Sequence, residues 1–388
     1  MKGSLVQRGR TWYAVIDLPK GPDGRRRQKW HRLAASGKRQ AQAELAKLIA
    51  DLASGRYVEP SKLSLADFLL KWLEVVHSAV SAKTFERYRG IVVGHLIPHL
   101  GAYPLARLQP LHIQAYYSRA LQGGRLDGRA GGLAPQTVLH HHRVLKEALG
   151  QAVRWGLLAR NPADAVDPPR VARKEMRTLT PEQIARLLAA AQGSRLYIPI
   201  LLAVATGMRR GEILALRWED VDLGAGTVSV RRTLEQVRGR IAFKEPKSAR
   251  SRRVIPLPAF AVAALRRHKA EQARLRLRLG PAYDDQGLVC TTETGRPLAH
   301  NFGRDYLALL ERAGVPRVRF HDLRHSHATL LLSQNVHPKV VSERLGHAAV
   351  GVTLDIYSHV VPALQQEAAD KLEALLGGVA VGGGGFVR

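Results

Sequence analysis

From Arg319 to Tyr357 the chain reads RFHDLRHSHATLLLSQNVHPKVVSERLGHAAVGVTLDIY. Four side chains in this stretch decide how the rest is read. His321 and Arg324 stand three apart, which on a helix puts both on one face. His347 sits in a Leu345-Gly346-His347 turn, where Gly346 gives the backbone freedom that lets an imidazole face inward. Tyr357 follows ten positions later. Two cationic or hydrogen-bonding groups on one helix face suit a phosphate. His325 and His327 crowd the same helix, and His321 with His325 has the i, i+4 spacing of a metal pair. No third His or carboxylate stands at ligand spacing except Asp322, which points elsewhere on the helix, so no metal is expected.

Upstream, in order, lie ATGMRRGEILALRWEDVD, with Arg209 and Glu212, and EPKSARSRRVIPL, with Lys247. Arg and Lys pieces followed by His-x-x-Arg, Leu-Gly-His and a Tyr ten residues on resemble the tyrosine recombinases, the phage integrase family. The resemblance implies a catalytic set of Arg209, Lys247, His321, Arg324, His347 and Tyr357. Arg210 does not occupy the motif position.

The chemistry of these residues agrees with that implication. Phosphodiester cleavage without metal requires another means of neutralising the transition state. The planar forks of Arg209 and Arg324 match two non-bridging oxygens. Tyr357 is the expected nucleophile, giving a 3′-phosphotyrosyl link and a free 5′-hydroxyl, so the bond energy is kept and neither ATP nor a cofactor is needed. His321 would accept the phenolic proton or hold the phosphate, and His347 would donate to a non-bridging oxygen or merely cap a helix. Lys247, in a hairpin the family turns toward the minor groove, would protonate the leaving oxygen. Lys244 and several Args share that hairpin. Glu212 is expected either to anchor Arg209 or to cap the helix that starts beside it.

Composition bounds the partner. The 388 residues carry a formal net charge of +28, which points to a polyanion, nucleic acid first. Hydrophobic residues make up 45%, enough for real cores, and the length favours more than one domain. The single cysteine, Cys290, excludes an intrachain disulfide framework and multi-cysteine zinc sites, and fits a reducing cytoplasm. No signal-peptide run and no membrane-length apolar stretch is visible.

The expected fold is mainly α and multidomain. Residues 1–60 read as a three-stranded sheet (Ser4–Gln7, Thr11–Leu18, Arg26–Leu33) plus a helix, Lys38–Ala53. This basic sheet resembles the arm-type DNA-binding domain of many integrases, so Arg8, Arg10, Trp12, Arg25, Arg27 and Lys29 are candidate DNA contacts. Residues 64–165 read as all helical: Leu65–Val76, Thr84–Leu96 ended by Pro98, Gln109–Gln122 and Pro135–Trp155. They resemble the family's SAM-like core-binding domain, with His141 and Arg143 as candidate contacts. His140, His141 and His142 fan around a helix, cannot converge on one ion, and read as a solvated or phosphate-facing stripe.

A Pro-rich linker, 166–177, leads to a mixed α+β catalytic domain, 178–376, opened by a Thr180–Gln183 capping box. Its strands, Thr227–Leu234, Arg240–Phe243 and Arg253–Leu257, read as one small antiparallel sheet. Val361–Leu376 is amphipathic and could pack on its own domain or on a neighbouring protomer. Residues 377–388 read as a flexible tail.

The resemblance implies double-stranded DNA with core and arm sites, a homotetramer on DNA, and an accessory host factor or excisionase as possible partners. It places the protein in the cytoplasm, on the nucleoid. A type IB topoisomerase or a non-catalytic DNA-binding regulator are the other readings. The extra basic segment of about sixty residues at the N-terminus favours a mobile-element integrase over a chromosome-dimer resolvase.

Overall fold

The computed structural model describes residues 3–18, 27–53, 62–172, 176–245, 252–347, 349–357 and 369–376. The chain divides into two compact units, Met1–Arg173 and Lys174–Arg388. Among the described residues helices dominate, beside three small antiparallel sheets. No helix among them is long and apolar enough to cross a membrane.

The first unit opens with three antiparallel strands in the order β1 (Gly3–Arg8), β2 (Thr11–Leu18), β3 (Arg27–Arg32), followed by α1 (Lys38–Ala53). Strand alternation sorts its residues. Gly3 pairs with Ile16 and Leu5 with Ala14, and a Cβ on Gly3 would meet Leu45 and Ile49 of α1 at 3.1 Å, so α1 covers this face. Trp12 shares it by register. On the other face Val15 pairs with Trp30, which is 43% exposed, and the Arg8 guanidinium lies 4.4 Å over the Trp30 ring. Trp12 and Trp30, adjacent in composition, therefore serve opposite sides of the sheet. Arg10 is exposed beyond the end of β1. Arg25, and the side chains of Arg27 and Lys29, lie outside the described residues.

Helices α2 (Leu65–His77), α3 (Ala82–Ile91), α4 (Ile97–Leu100), α5 (Pro110–Gly123) and α6 (Pro135–Arg154) pack around Leu69, Trp72, Leu96, Tyr116 and Leu145. Ser64 and Ser81 cap α2 and α3 by accepting from Asp67 and Thr84 backbone N–H groups. Pro98 does not end the helix, as the sequence had suggested. Val92–Leu96 widens into a π-turn in which the Ile97 N–H reaches Val92, so the helix runs on through Leu100. The wider turn loosens the bonding ladder where proline's ring and missing N–H would otherwise break it.

His141 and His142 correct the expected solvated stripe. Both are buried, His141 to 1% exposure, and their Nδ1 atoms bond the hydroxyls of Tyr116 (2.7 Å) and Tyr117 (2.9 Å). Burial first, then the charges of His95 and His140, pushes the His141 pKa down to about 4. His141 is a core residue and does not face a phosphate. Arg143 is exposed on the same helix, in an open cleft with Lys146, Arg154 and Arg160.

The second unit is built around α8 (Tyr197–Thr206), apolar on nearly every side and buried by α7 (Pro181–Ala191), α9 (Arg210–Leu214) and later helices. The Thr180–Gln183 capping box that starts α7 is present. Strands β4 (Val221–Asp222), β5 (Thr227–Val230) and β8 (Arg253–Pro256) form one sheet in the order β4-β5-β8. Strands β6 (Thr233–Val237) and β7 (Arg240–Lys244) form a separate hairpin. The run read as one strand, Thr227–Leu234, breaks at Arg231 and Arg232. Arg232 turns away to bond Asp220 (2.7 Å) and Glu219 (2.6 Å), and this pulls the chain out of the ladder. Then come α10 (Ala259–Leu279), α11 (Phe302–Arg312), α12 (Asp322–Ser333), α13 (Pro338–Leu345) and α14 (Val350–Tyr357). Residues 369–376 are helical and exposed; the rest of the amphipathic segment from Val361, and the tail 377–388, lie outside the described residues.

Candidate active site

Three chain reversals bring the motif residues together. Helix α8 ends at Gly207, whose φ of +67° is left-handed, and the next turn presents Arg209 at the start of α9. Helix α13 ends at Gly346, also at φ +67°, and presents His347. Helix α12 starts at His321 and carries Arg324 inward. Both glycines are required by conformation, and Gly207 by space as well. A Cβ on Gly207 would meet Leu345 at 2.6 Å and His327 at 2.7 Å, and one on Gly346 would meet the Arg253 guanidinium at 3.1 Å.

Arg324 is 2% exposed, and its Nη1 donates to the Gly207 carbonyl at 2.8 Å. Arg209 Nη2 donates to the Gly346 carbonyl at 3.1 Å. Each guanidinium is thus seated on a carbonyl belonging to a different motif. Glu212, 4% exposed, serves both roles left open for it. Its Oε2 accepts the Arg209 backbone N–H at 2.9 Å as a cap, and its Oε1 accepts Arg209 Nη1 at 2.8 Å as an anchor. Burial alone would raise the Glu212 pKa, but bonds and charge from Arg253, then Arg209, outweigh it and hold the carboxyl below its ordinary range. Glu212 is therefore ionised and fixes the fork.

The histidines sit in the field of these cations. His347 is half-buried, with Nδ1 2.8 Å from Thr353 Oγ1. Burial first, then Arg324 and Arg209, lowers its pKa to about 4. His321 keeps an exposed surface at the head of α12, yet desolvation by the surrounding protein, then Arg324, lowers its pKa too, with a smaller contribution from Arg209. The carbonyl seats bring these turns together: Arg324 holds Gly207, two residues before Arg209, and Arg209 holds Gly346, next to His347. His325 packs edge-on against His321 at 5.2 Å between ring centres. His327 bonds the Val204 carbonyl through Nδ1 (2.8 Å) and accepts from Arg344 Nε at Nε2 (3.2 Å), so its proton is on Nδ1. Buried imidazoles held neutral beside guanidiniums can hydrogen-bond an incoming anion or take a proton; they do not add to the positive charge.

Sequence reasoning missed Arg253. Its guanidinium spans Glu212 at 2.9 and 3.3 Å and the Arg344 carbonyl at 2.8 Å. It stands among Arg250, Arg252 and other basic residues, and only the fold singles it out. Lys247 lies outside the described residues. Tyr357 closes α14, the helix that follows the His347 turn, and its side chain lies outside the described residues. Among the described residues, Glu212 pairs with both Arg209 and Arg253, while Arg324 and Arg344 are seated on the main-chain carbonyls of Gly207 and Ala205. Such an excess of positive charge in a partly desolvated place attracts an anion.

Comparisons with known proteins agree along the chain. Residues 177–363 match the Phage integrase family, and residues 64–121 match the Phage integrase, N-terminal SAM-like domain. A tyrosine recombinase XerC-like protein of Caldanaerobacter subterraneus subsp. tengcongensis is 30% identical over 396 residues, covering 96% of this chain and 99% of its own. The ICEBs1 integrase of Bacillus subtilis is 30% identical over 247 residues, covering 63% and 67%. The Tn1549 transposon integrase, solved in complex with a circular intermediate DNA, aligns with a TM-score of 0.65 at 20% identity, over 79% of this chain and 99% of that one. A lambda integrase dimer bound to a COC′ core site aligns with a TM-score of 0.55 at 19% identity, over 76% and 95%. At those identities the structural likeness is one of fold. The full-length sequence match, together with the two family regions, settles kinship: this chain belongs to the phage integrase family, the tyrosine-type site-specific recombinases of DNA.

Proposed function

We propose that this recombinase is the integrase of a phage or other mobile element, and that Arg209, Lys247, His321, Arg324, His347 and Tyr357 carry its strand exchange. The observation that supports this most is the buried Arg324 guanidinium seated on the Gly207 carbonyl, two residues before Arg209, whose own fork reaches the Gly346 carbonyl beside His347.

A scissile phosphate enters between the two forks, which bind its non-bridging oxygens and stabilise the added charge of the pentacoordinate state. The Tyr357 phenol oxygen attacks phosphorus while His321 accepts its proton. When Thr353 donates its hydroxyl to His347 Nδ1, the Nε2 proton is left to bond a non-bridging oxygen. Lys247 gives a proton to the departing 5′-oxygen, which leaves as a hydroxyl. The phosphorus–oxygen bond to the 5′-carbon is exchanged for one to tyrosine, with no net change in bond type. Religation onto a partner strand therefore reverses the same steps.

Domain roles follow the same reading. Residues 64–165 bind the core site as well, through exposed cations such as Arg143. The sheet of residues 1–60 takes arm sites, with Arg8 and Trp30 on its open face. Four protomers act on two duplexes through a four-way junction, in the cytoplasm on the nucleoid, with a host factor or an excisionase setting direction. The basic N-terminal segment, residues 1–60, favours a mobile element. Tyr357→Phe tests the centre of this reading on a suicide substrate that traps cleaved product. The variant should bind the site as the parent does and form no covalent adduct; an adduct that persists removes Tyr357 from the mechanism.

A further inference from the structure

Arg253 opens β8 directly after the segment that holds Lys247, and none of the roles above uses it. Its side chain is 8% exposed. Nη2 and Nη1 meet the two oxygens of Glu212, and Nε meets the Arg344 carbonyl in the last turn of α13. Glu212 holds Arg209, and Arg209 holds the carbonyl of Gly346. Gly346 lies close against the Arg253 guanidinium. A single planar fork thereby joins the Arg209 turn, the Gly346–His347 turn and the strand leading out of the Lys247 segment. These three pieces are otherwise separated in the chain by dozens of residues.

We propose that Arg253 is a positioning residue for strand cleavage: it holds Glu212, and through it the Arg209 fork, in register with the His347 turn and the root of the Lys247 segment. The inference rests on the role given to Arg209 above. Charge alone does not suffice for this task. A lysine ammonium is a point donor on a flexible stem and cannot meet two carboxylate oxygens and a carbonyl in one plane.

The competing reading is an ion pair that only closes the core. In that case any loss from Arg253→Ala would track folding. The test uses the full-length protein with a half-site suicide duplex, measuring melting temperature, half-site affinity and the single-turnover rate of covalent adduct formation. Arg253→Ala should bind the half-site within about twofold of the parent and form adduct about 100-fold more slowly, the cost expected when a reacting group is misplaced by an ångström. Arg253→Lys should keep the parent melting temperature and recover only part of the rate. Arg253→Ala added to Glu212→Gln should slow the reaction no further than Glu212→Gln alone, because both act through one route.

A folded Arg253→Lys variant cleaving at the parent rate would overturn the inference, as would effects of Arg253→Ala and Glu212→Gln that multiply. Arg253→Lys decides the matter even if Arg253→Ala does not fold. Arg209→Lys in the same assay separates the two levels. If it cleaves normally, the reading of Arg209 fails and takes this inference with it; if it is inactive while the Arg253 variants cleave normally, only the inference falls.

Discussion

Both units of this protein hold histidines that the surrounding protein desolvates in whole or in part, and the two sets differ in what stands beside them. In the helical bundle of the first unit, His141 and His142 meet tyrosine hydroxyls. In the second unit, His321, His327 and His347 stand among guanidiniums. Desolvation lowers the pKa in each case, to about 4 for His141, His327 and His347 alike. A shifted histidine alone therefore does not mark a site. The neighbours distinguish the two: a hydroxyl completes a neutral pair, whereas guanidiniums that outnumber the carboxylates among them leave charge for an anion to balance.

That contrast can be broken most sharply at Arg324. Arg324→Lys keeps a buried cation but loses the fork that reaches the Gly207 carbonyl. Adduct formation should fall by about 10²–10³-fold, the cost of removing one transition-state donor. Half-site binding and melting temperature should stay near the parent values, and a cleavage rate within tenfold of the parent would mean that the second unit's cations are as structural as the first unit's tyrosines.

Acid acts on both units alike, and an added anion separates them. A histidine whose folded pKa lies below its unfolded value of about 6.5 binds its proton more readily in the unfolded chain. Stability is thus full above about pH 6.5 and declines as pH falls toward 4. Hydrogen exchange read peptide by peptide should show both units opening over that window. Added inorganic phosphate should protect α12 and the His347 turn and leave α5 unaffected, since the cations beside the second unit's histidines are desolvated, whereas Arg143 and Lys146 of the first unit are exposed on α6. Equal protection of both would erase the distinction.

The smallest effect lies in the first unit. Tyr116→Phe leaves the buried His141 Nδ1 without its hydroxyl and should cost about 1–3 kcal/mol in urea unfolding, with the cleavage rate unchanged. A matching loss of cleavage in the folded variant would mean that the bundle's histidines reach the chemistry after all.

Much of the site could be read from the amino-acid order because its geometry is local. His-x-x-Arg becomes the first turn of α12, Leu-Gly-His becomes the left-handed end of α13, and Arg209 with Glu212 closes its own cap. What escaped depended on partners far away in the chain. Arg253 gains its meaning from Glu212, forty-one positions earlier. His141 looked exposed because three consecutive histidines must face different ways, and which of them faces inward is decided by Tyr116 on another helix. At the break of the long strand, Arg232 pairs with Asp220 and Glu219, twelve and thirteen positions earlier. The passage of the third helix through Pro98 depended on a π-turn that periodicity does not signal.

The seat of Arg324 is a main-chain oxygen at the very end of α8, offered by a residue that has no side chain to vary. Its direction is fixed by how many residues the helix contains, since each one turns the backbone by about 100°. Lengthening or shortening α8 by one residue would swing that oxygen away from Arg324 while leaving every motif residue intact. The catalytic arrangement is thus calibrated by the register of a wholly apolar helix, and a sequence comparison confined to the motif residues would miss a lineage that had lost activity in this way.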